Sequence, residues 1–122
     1  MAIEILEKGS WHSYFDGMSK ILAGKEAQVH VDVNPLDYDF HPEPPFVHLL
    51  GIVYDPSNDI LEVLLDGLDH TIANVREILV DHDGINLNSV SVTDDEGMLQ
   101  VIRLRDPVLL AAPQSAGVEN RP

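Results

Sequence analysis

The chain has 122 residues and a formal net charge of −14, because 21 carboxylates face only three lysines and four arginines. A surface of that sign repels a phosphate backbone, which is held by cations that displace its counterions, and it repels anionic lipid headgroups for the same reason. Nucleic acid and membranes are therefore not expected partners; the charge reads first as a solvated acidic surface that keeps the protein soluble, with a basic protein partner or a cation-rich environment as the sharper alternatives.

The length fits one domain, and 44% hydrophobic residues are enough to fill a core. The expected domain spans 1–110. Residues 111–122 mix Ala, Pro, Gln, Ser and Gly without periodicity and read as a flexible tail. No cysteine occurs, which removes disulfides, thiolate nucleophiles and cysteine-ligated metals. The segment Met1 to Lys8 lacks the basic start and apolar run of a signal peptide, and no stretch approaches the roughly 20 apolar residues of a membrane span. The cytoplasm is the expected location.

In chain order, the first clear element opens at Ser10, a good N-cap, and carries Trp11, Tyr14, Phe15, Met18, Ile21 and Leu22 at three- and four-residue spacing. This is an amphipathic helix whose aromatic stripe belongs in a core. Gly24 stands where a left-handed residue would end it, with Lys20 and Lys25 near the negative end of its dipole. From Ala27 the period changes to two: Ala27, Val29, Val31 and Val33 alternate with polar residues as in a half-buried strand. Residues 35–45 hold four prolines and read as an extended loop.

Phe46 to Tyr54 and Ile60 to Leu65 form a predicted hairpin across the turn Asp55-Pro-Ser-Asn-Asp59, and Gly51 predicts a bulge in its first strand. Leu68 to Val75 fits no single period. Glu77 to Val80 is extended, Asp81-His-Asp-Gly84 is a turn, and Leu87 to Val92 with Met98 to Leu104 forms a second hairpin around Asp94 to Gly97. Many carboxylates thus fall in turns, at Asp55, Asp59, Asp81, Asp83 and Asp94 to Glu96. The expected fold class is α+β, an N-terminal helix packed on a five- or six-stranded, mainly antiparallel sheet. Curling into a small barrel would remove its exposed edges.

That element order resembles the Sm-like or SH3-like small barrels, with Leu50 to Asp55 and Ile60 to Leu65 similar to the central Sm hairpin. The basic and aromatic loop residues of an Sm-like RNA pocket are absent, and Leu68 to Asn86 departs from its spacing. A second resemblance extends over nearly the whole ordered chain. Ser10-Trp11 with Phe15-Asp16 and Met18-Ser19, Gly51 to Pro56, Asp69 to Ile72, Asp95 to Gly97 and Ile102 to Arg105, in that order, resemble a family of short bacterial proteins known only as a domain of unknown function. The resemblance implies a bacterial protein and supplies no reaction.

Asp37, Asp39, His41 and Glu43 stand two apart along the proline-rich loop, so an extended backbone points all four one way. Hard oxygens with an imidazole suit Ca²⁺, Mn²⁺ or Zn²⁺. The spacing matches neither a calcium loop nor a zinc helix. Asp69-His70 could tune a histidine proton. Adjacent residues of an extended chain point apart, however, and a hydrogen bond from His70 or Thr71 to the backbone of a bend is the favoured role. His30 and His48 read as satisfied strand positions, and Arg103 and Arg105 as surface ion pairs. No serine lies in a nucleophile elbow, and no phosphate-binding glycine loop occurs. The expected function is a non-enzymatic binding or assembly domain, forming a homo-oligomer or meeting a basic partner through an apolar sheet face or edge strand. The alternative is a metal-binding protein or metal-dependent hydrolase built on Asp37, Asp39, His41 and Glu43. No cofactor is assigned.

Overall fold

Alternating apolar and polar side chains dominate this sequence, and the backbone follows them into strands. In the computed structural model, which describes residues 2–31 and 44–107, the strands are β1 (Ala2–Leu6), β2 (Glu26–Val31), β3 (Val47–Asp55), β4 (Ile60–Leu65), β5 (Leu68–Ala73), β6 (Val75–Asp83), β7 (Asn86–Asp94) and β8 (Leu99–Arg105). Two short helices, α1 (Trp11–Gly17) and α2 (Ser19–Leu22), follow β1 after a 3-10 turn at Lys8–Ser10. The sheet order is β1-β6-β7-β8-β2-β3-β4-β5, with every ladder antiparallel. No helix among the described residues is long and apolar enough to cross a membrane.

The α+β class and the mainly antiparallel sheet agree with expectation, but the sheet has eight strands where five or six were expected. One addition is β1, which precedes the helices, so the helical segment is not the first element. Another is β5, in the segment of ambiguous pattern. The sheet does not close into a barrel, because β1 and β5 remain its two edges. Trp11, Phe15 and Leu22 are buried in the same core as the strand residues, and α1 and α2 pack along β3. Helical side chains thus complete a core that strand closure would otherwise have to complete.

Two corners fold the sheet over this core. β2 and β3 share only the pairs Glu26↔His48 and Ala27↔Val47. At the other corner Asn74, with φ 56°, joins β5 to β6 in a single residue. Its N–H donates to the Asp59 carbonyl and its carbonyl accepts from the Asp95 N–H, each at 2.9 Å. Asparagine tolerates the left-handed region better than most side chains. Across the interior, His70 on β5 meets Gln100 on β8, Nε2 to Oε1, at 2.5 Å. His70 therefore has a side-chain partner within a strand, not the backbone of a bend, and Asp69 lies on the opposite face, next to Leu64.

The hairpins form as their sequences predict. β3 and β4 pair with a register shift between Leu49 and Gly51, which is the expected bulge, and β7 pairs with β8. Turn carboxylates accept backbone and side-chain protons locally. Asp55 accepts from the Ser57 N–H and hydroxyl and from Asn58, and Asp94 accepts from the N–H groups of Glu96 and Met98. The hydrogen bonds from Ser57 and Asn58 hold the Asp55 carboxyl below its usual range.

The helix ends differ from expectation. Ser10 is in the right-handed region and makes no side-chain cap; its hydroxyl donates to the Glu7 carbonyl at 2.8 Å, because the preceding 3-10 turn already occupies the place of an extended cap residue. The helix breaks at Met18, and Gly24 is not among the positive-φ glycines. Lys25 serves no dipole: it is buried, and its ammonium donates to Asn86 Oδ1 at 2.8 Å and Asp106 Oδ1 at 3.1 Å.

Where α1 meets β3, the Trp11 ring stands edge-on to Tyr54 with centroids 5.1 Å apart. The buried Tyr54 hydroxyl donates to Asp59 Oδ1 at 2.6 Å. Burial first, then this hydrogen bond and the charges of Asp59 and Asp55, pushes the Tyr54 pKa up to about 12. An unfolded tyrosine ionises near pH 10, so the folded state holds this proton more tightly. The contribution is complete below about pH 10 and is lost as pH rises towards 12. Chemical denaturation across that window should show falling stability, and Tyr54→Phe should flatten the fall. An unchanged slope in the variant would remove Tyr54 as its source.

Candidate functional site

Strand β1 sits at one end of the sheet and, among the described residues, pairs only with β6, in the register Ala2↔His82, Ile3↔Asp81, Glu4↔Val80, Ile5↔Leu79 and Leu6↔Ile78. Side chains of a strand alternate between faces. Leu6 turns inward and is buried, and its carbonyl accepts the Trp11 indole N–H at 3.1 Å. Glu4, on that same face, lies 3.3 Å from His82 Nε2. Its charge is the second cause, after burial, of the raised Tyr14 pKa.

Ile3 and Ile5 occupy the other face and are 69% and 64% exposed. Isolated exposed apolar residues are ordinary. Two on one face of an unpaired edge are not, because the edge also presents backbone N–H and C=O groups in the geometry of a strand partner. No strand lies beyond β1 among the described residues. The opposite edge, β5, is less suited: it exposes Leu68 but carries Asp69 and Thr71 along its outer face. On β3, Leu50 and Val53 are 52% and 42% exposed; that stretch pairs with β4 on one side, while β2 reaches only Val47 and His48, and α1 and α2 pack along it.

The strand behind Ile3 contains an electrostatic misfit. Asp81 lies within the ladder of β6, opposite Ile3 on one side and Ser89 on the other, not in a turn as its sequence context implied. One of its carboxylate oxygens, Oδ1, is buried without a hydrogen-bond partner among the described residues. A buried carboxylate oxygen left without a partner bears a desolvation cost. Arg103 stands on the same row across Ser89 and makes no ion pair among the described residues.

The remaining sequence candidates divide clearly. Asp37, Asp39, His41 and Glu43 lie outside the described residues, as does the tail 111–122. Among the described residues no group of three or more metal-ligating side chains is assembled. His30 is a satisfied strand histidine, its Nε2 2.7 Å from Gln28 Oε1, while His48 is exposed. Arg105 does form a surface ion pair, Nε to Glu26 Oε1 at 2.9 Å, and lies over the Phe46 ring at 3.8 Å. The sequence signal for the edge was the Ile3-Glu4-Ile5 alternation. It reads as a short strand only when β6 is supplied from more than 70 residues away.

The described fold is an open antiparallel sheet whose core is completed by two short helices and whose first strand is an unpaired apolar edge. The family of unknown function DUF5335 matches residues 2–113, and the chain belongs to it. An uncharacterised protein of Aquifex aeolicus (strain VF5) is 31% identical over 111 residues, which cover 90% of this chain and 98% of that protein. No solved structure matches the chain.

Proposed function

We propose that the protein is a non-enzymatic binding or assembly domain that works through β1. The observation carrying this reading is the pair Ile3 and Ile5, more than half exposed on one face of a strand with a free edge. Addition of a strand to such an edge combines main-chain hydrogen bonds with burial of alternate side chains. Full burial of an isoleucine is worth about 1.5–3 kcal/mol, so two of them supply a useful share of a modest affinity.

A photo-crosslinking amino acid placed at position 5 tests this in cells. Discrete crosslinked species should form from position 5 and not from the exposed turn position Glu96, and Ile3→Lys should reduce them severalfold while leaving the circular dichroism spectrum unchanged. Indistinguishable crosslinking from positions 5 and 96 would remove the edge as the contact. Light scattering on the purified protein separates self-assembly from capture of another chain.

A further inference from the structure

We infer that the segment received by β1 is an extended, cationic stretch of a partner protein, with an arginine or lysine placed opposite Ile3 and an apolar residue two positions away, opposite Ile5. This rests on the proposed use of β1 and specifies what pairs with it. Two cross-strand rows on the outer face define the pattern. One runs Ile5, Leu79, Ser91, Val101; the other runs Ile3, Asp81, Ser89, Arg103. A residue added opposite Ile5 extends a row whose next two members are the apolar pair Ile5 and Leu79. A residue added opposite Ile3 extends a row whose next member inward is a carboxylate with an unpartnered buried oxygen.

The reach is sufficient. Strands lie about 4.8 Å apart, so an incoming backbone is about 10 Å from β6, a span an arginine and an aspartate side chain cover together. The arginine stem would lie across Ile3, keeping apolar contact while its guanidinium meets Asp81. A second copy of this chain fits less well. Its β1 offers no cation to Asp81, having Ala2, Ile3, Glu4, Ile5 and Leu6, and two chains of net charge −14 repel each other. The same charge draws a basic segment towards the protein.

Amide spectra of the isotope-labelled full chain, titrated with the capped peptide Thr-Val-Thr-Arg-Thr-Val-Thr and with its Gln-for-Arg counterpart, provide the test. The arginine peptide should shift the amides of β1 and of Asp81 and bind at least tenfold more tightly than the glutamine peptide. Asp81→Asn, with Asp81→Thr as a second variant if the first folds poorly, should abolish that preference and leave the weaker glutamine peptide binding as before. Equal affinities of the two peptides at β1 would overturn the cationic preference while leaving the edge as a strand acceptor. An arginine preference that survives both Asp81 variants would also overturn it, assigning the effect to overall charge. If neither peptide moves β1 amides and position 5 yields no specific crosslink in cells, the inference and the reading beneath it fall together.

Discussion

Trp11→Ala is expected to destabilise the protein by about 4 kcal/mol, the usual cost of truncating a large buried aromatic. Trp11 is 1% exposed, and it does two things at once. Its ring packs edge-on against Tyr54, fixing α1 to β3, and its indole N–H donates to the carbonyl of Leu6, fixing α1 to β1. Truncation opens a cavity and also leaves a carbonyl unpaired at the root of the edge strand. Domains of this size are stable by only about 5–15 kcal/mol, so the variant should be partly unfolded in mild urea. Because Trp11 is the single tryptophan, unfolding of the variant has to be followed by circular dichroism. A loss under about 1 kcal/mol would show that the helix is docked by its other contacts.

Lys25→Glu should cost about 4 kcal/mol, whereas Lys25→Met should leave stability unchanged or slightly raised. The side chain of Lys25 is 4% exposed while that of its carboxylate partner Asp106 is 80% exposed. The ammonium has therefore surrendered most of its hydration, and the carboxylate little. Methionine keeps the apolar volume of the stem and releases Asn86 and Asp106 to water. Glutamate instead places an uncompensated carboxylate in the same buried position, next to Asp106. Urea denaturation of both variants decides between burial of the stem and pairing of the charge: a methionine variant as damaged as the glutamate one would make the ammonium's hydrogen bonds the dominant contribution.

The parts of the fold legible in the sequence are those in which local pattern and final environment agree. Val90 to Val92 and Met98 to Leu104 alternate because one face of each strand is buried, with Leu87 brought to the same face by the irregularity opposite Asp81 and His82, and the turn between the strands is built from the Asp94 carboxylate. Gly51 marked its bulge, and the Trp11 to Leu22 stripe marked its buried face. What was not legible is where tertiary pairing overrides the local signal. Ile3 and Ile5 are apolar and outside, so a rule that puts apolar residues inward misreads β1. Lys25 follows a helix and resembles a dipole partner, but the chain carries it into the interior on the way to β2. Asp81 precedes a turn and resembles a turn residue, yet β6 continues through it to Asp83. Of the candidate site, the notion of a free sheet edge was legible and its location was not. β1 exists as a strand only through a partner more than 70 residues further along the chain.

That pairing has a consequence for the order of events in folding. Leu6 is joined to Ile78 and Ala2 to His82, so β1 cannot be placed until β6 has emerged, and its ladder closes one of the longest loops among the described residues. Contacts of such wide sequence separation form late, and a five-residue strand held by a single ladder is among the first elements to let go. The surface offered for recognition thus depends on two segments more than 70 residues apart in the chain. Its presence reports that β6 is already in place.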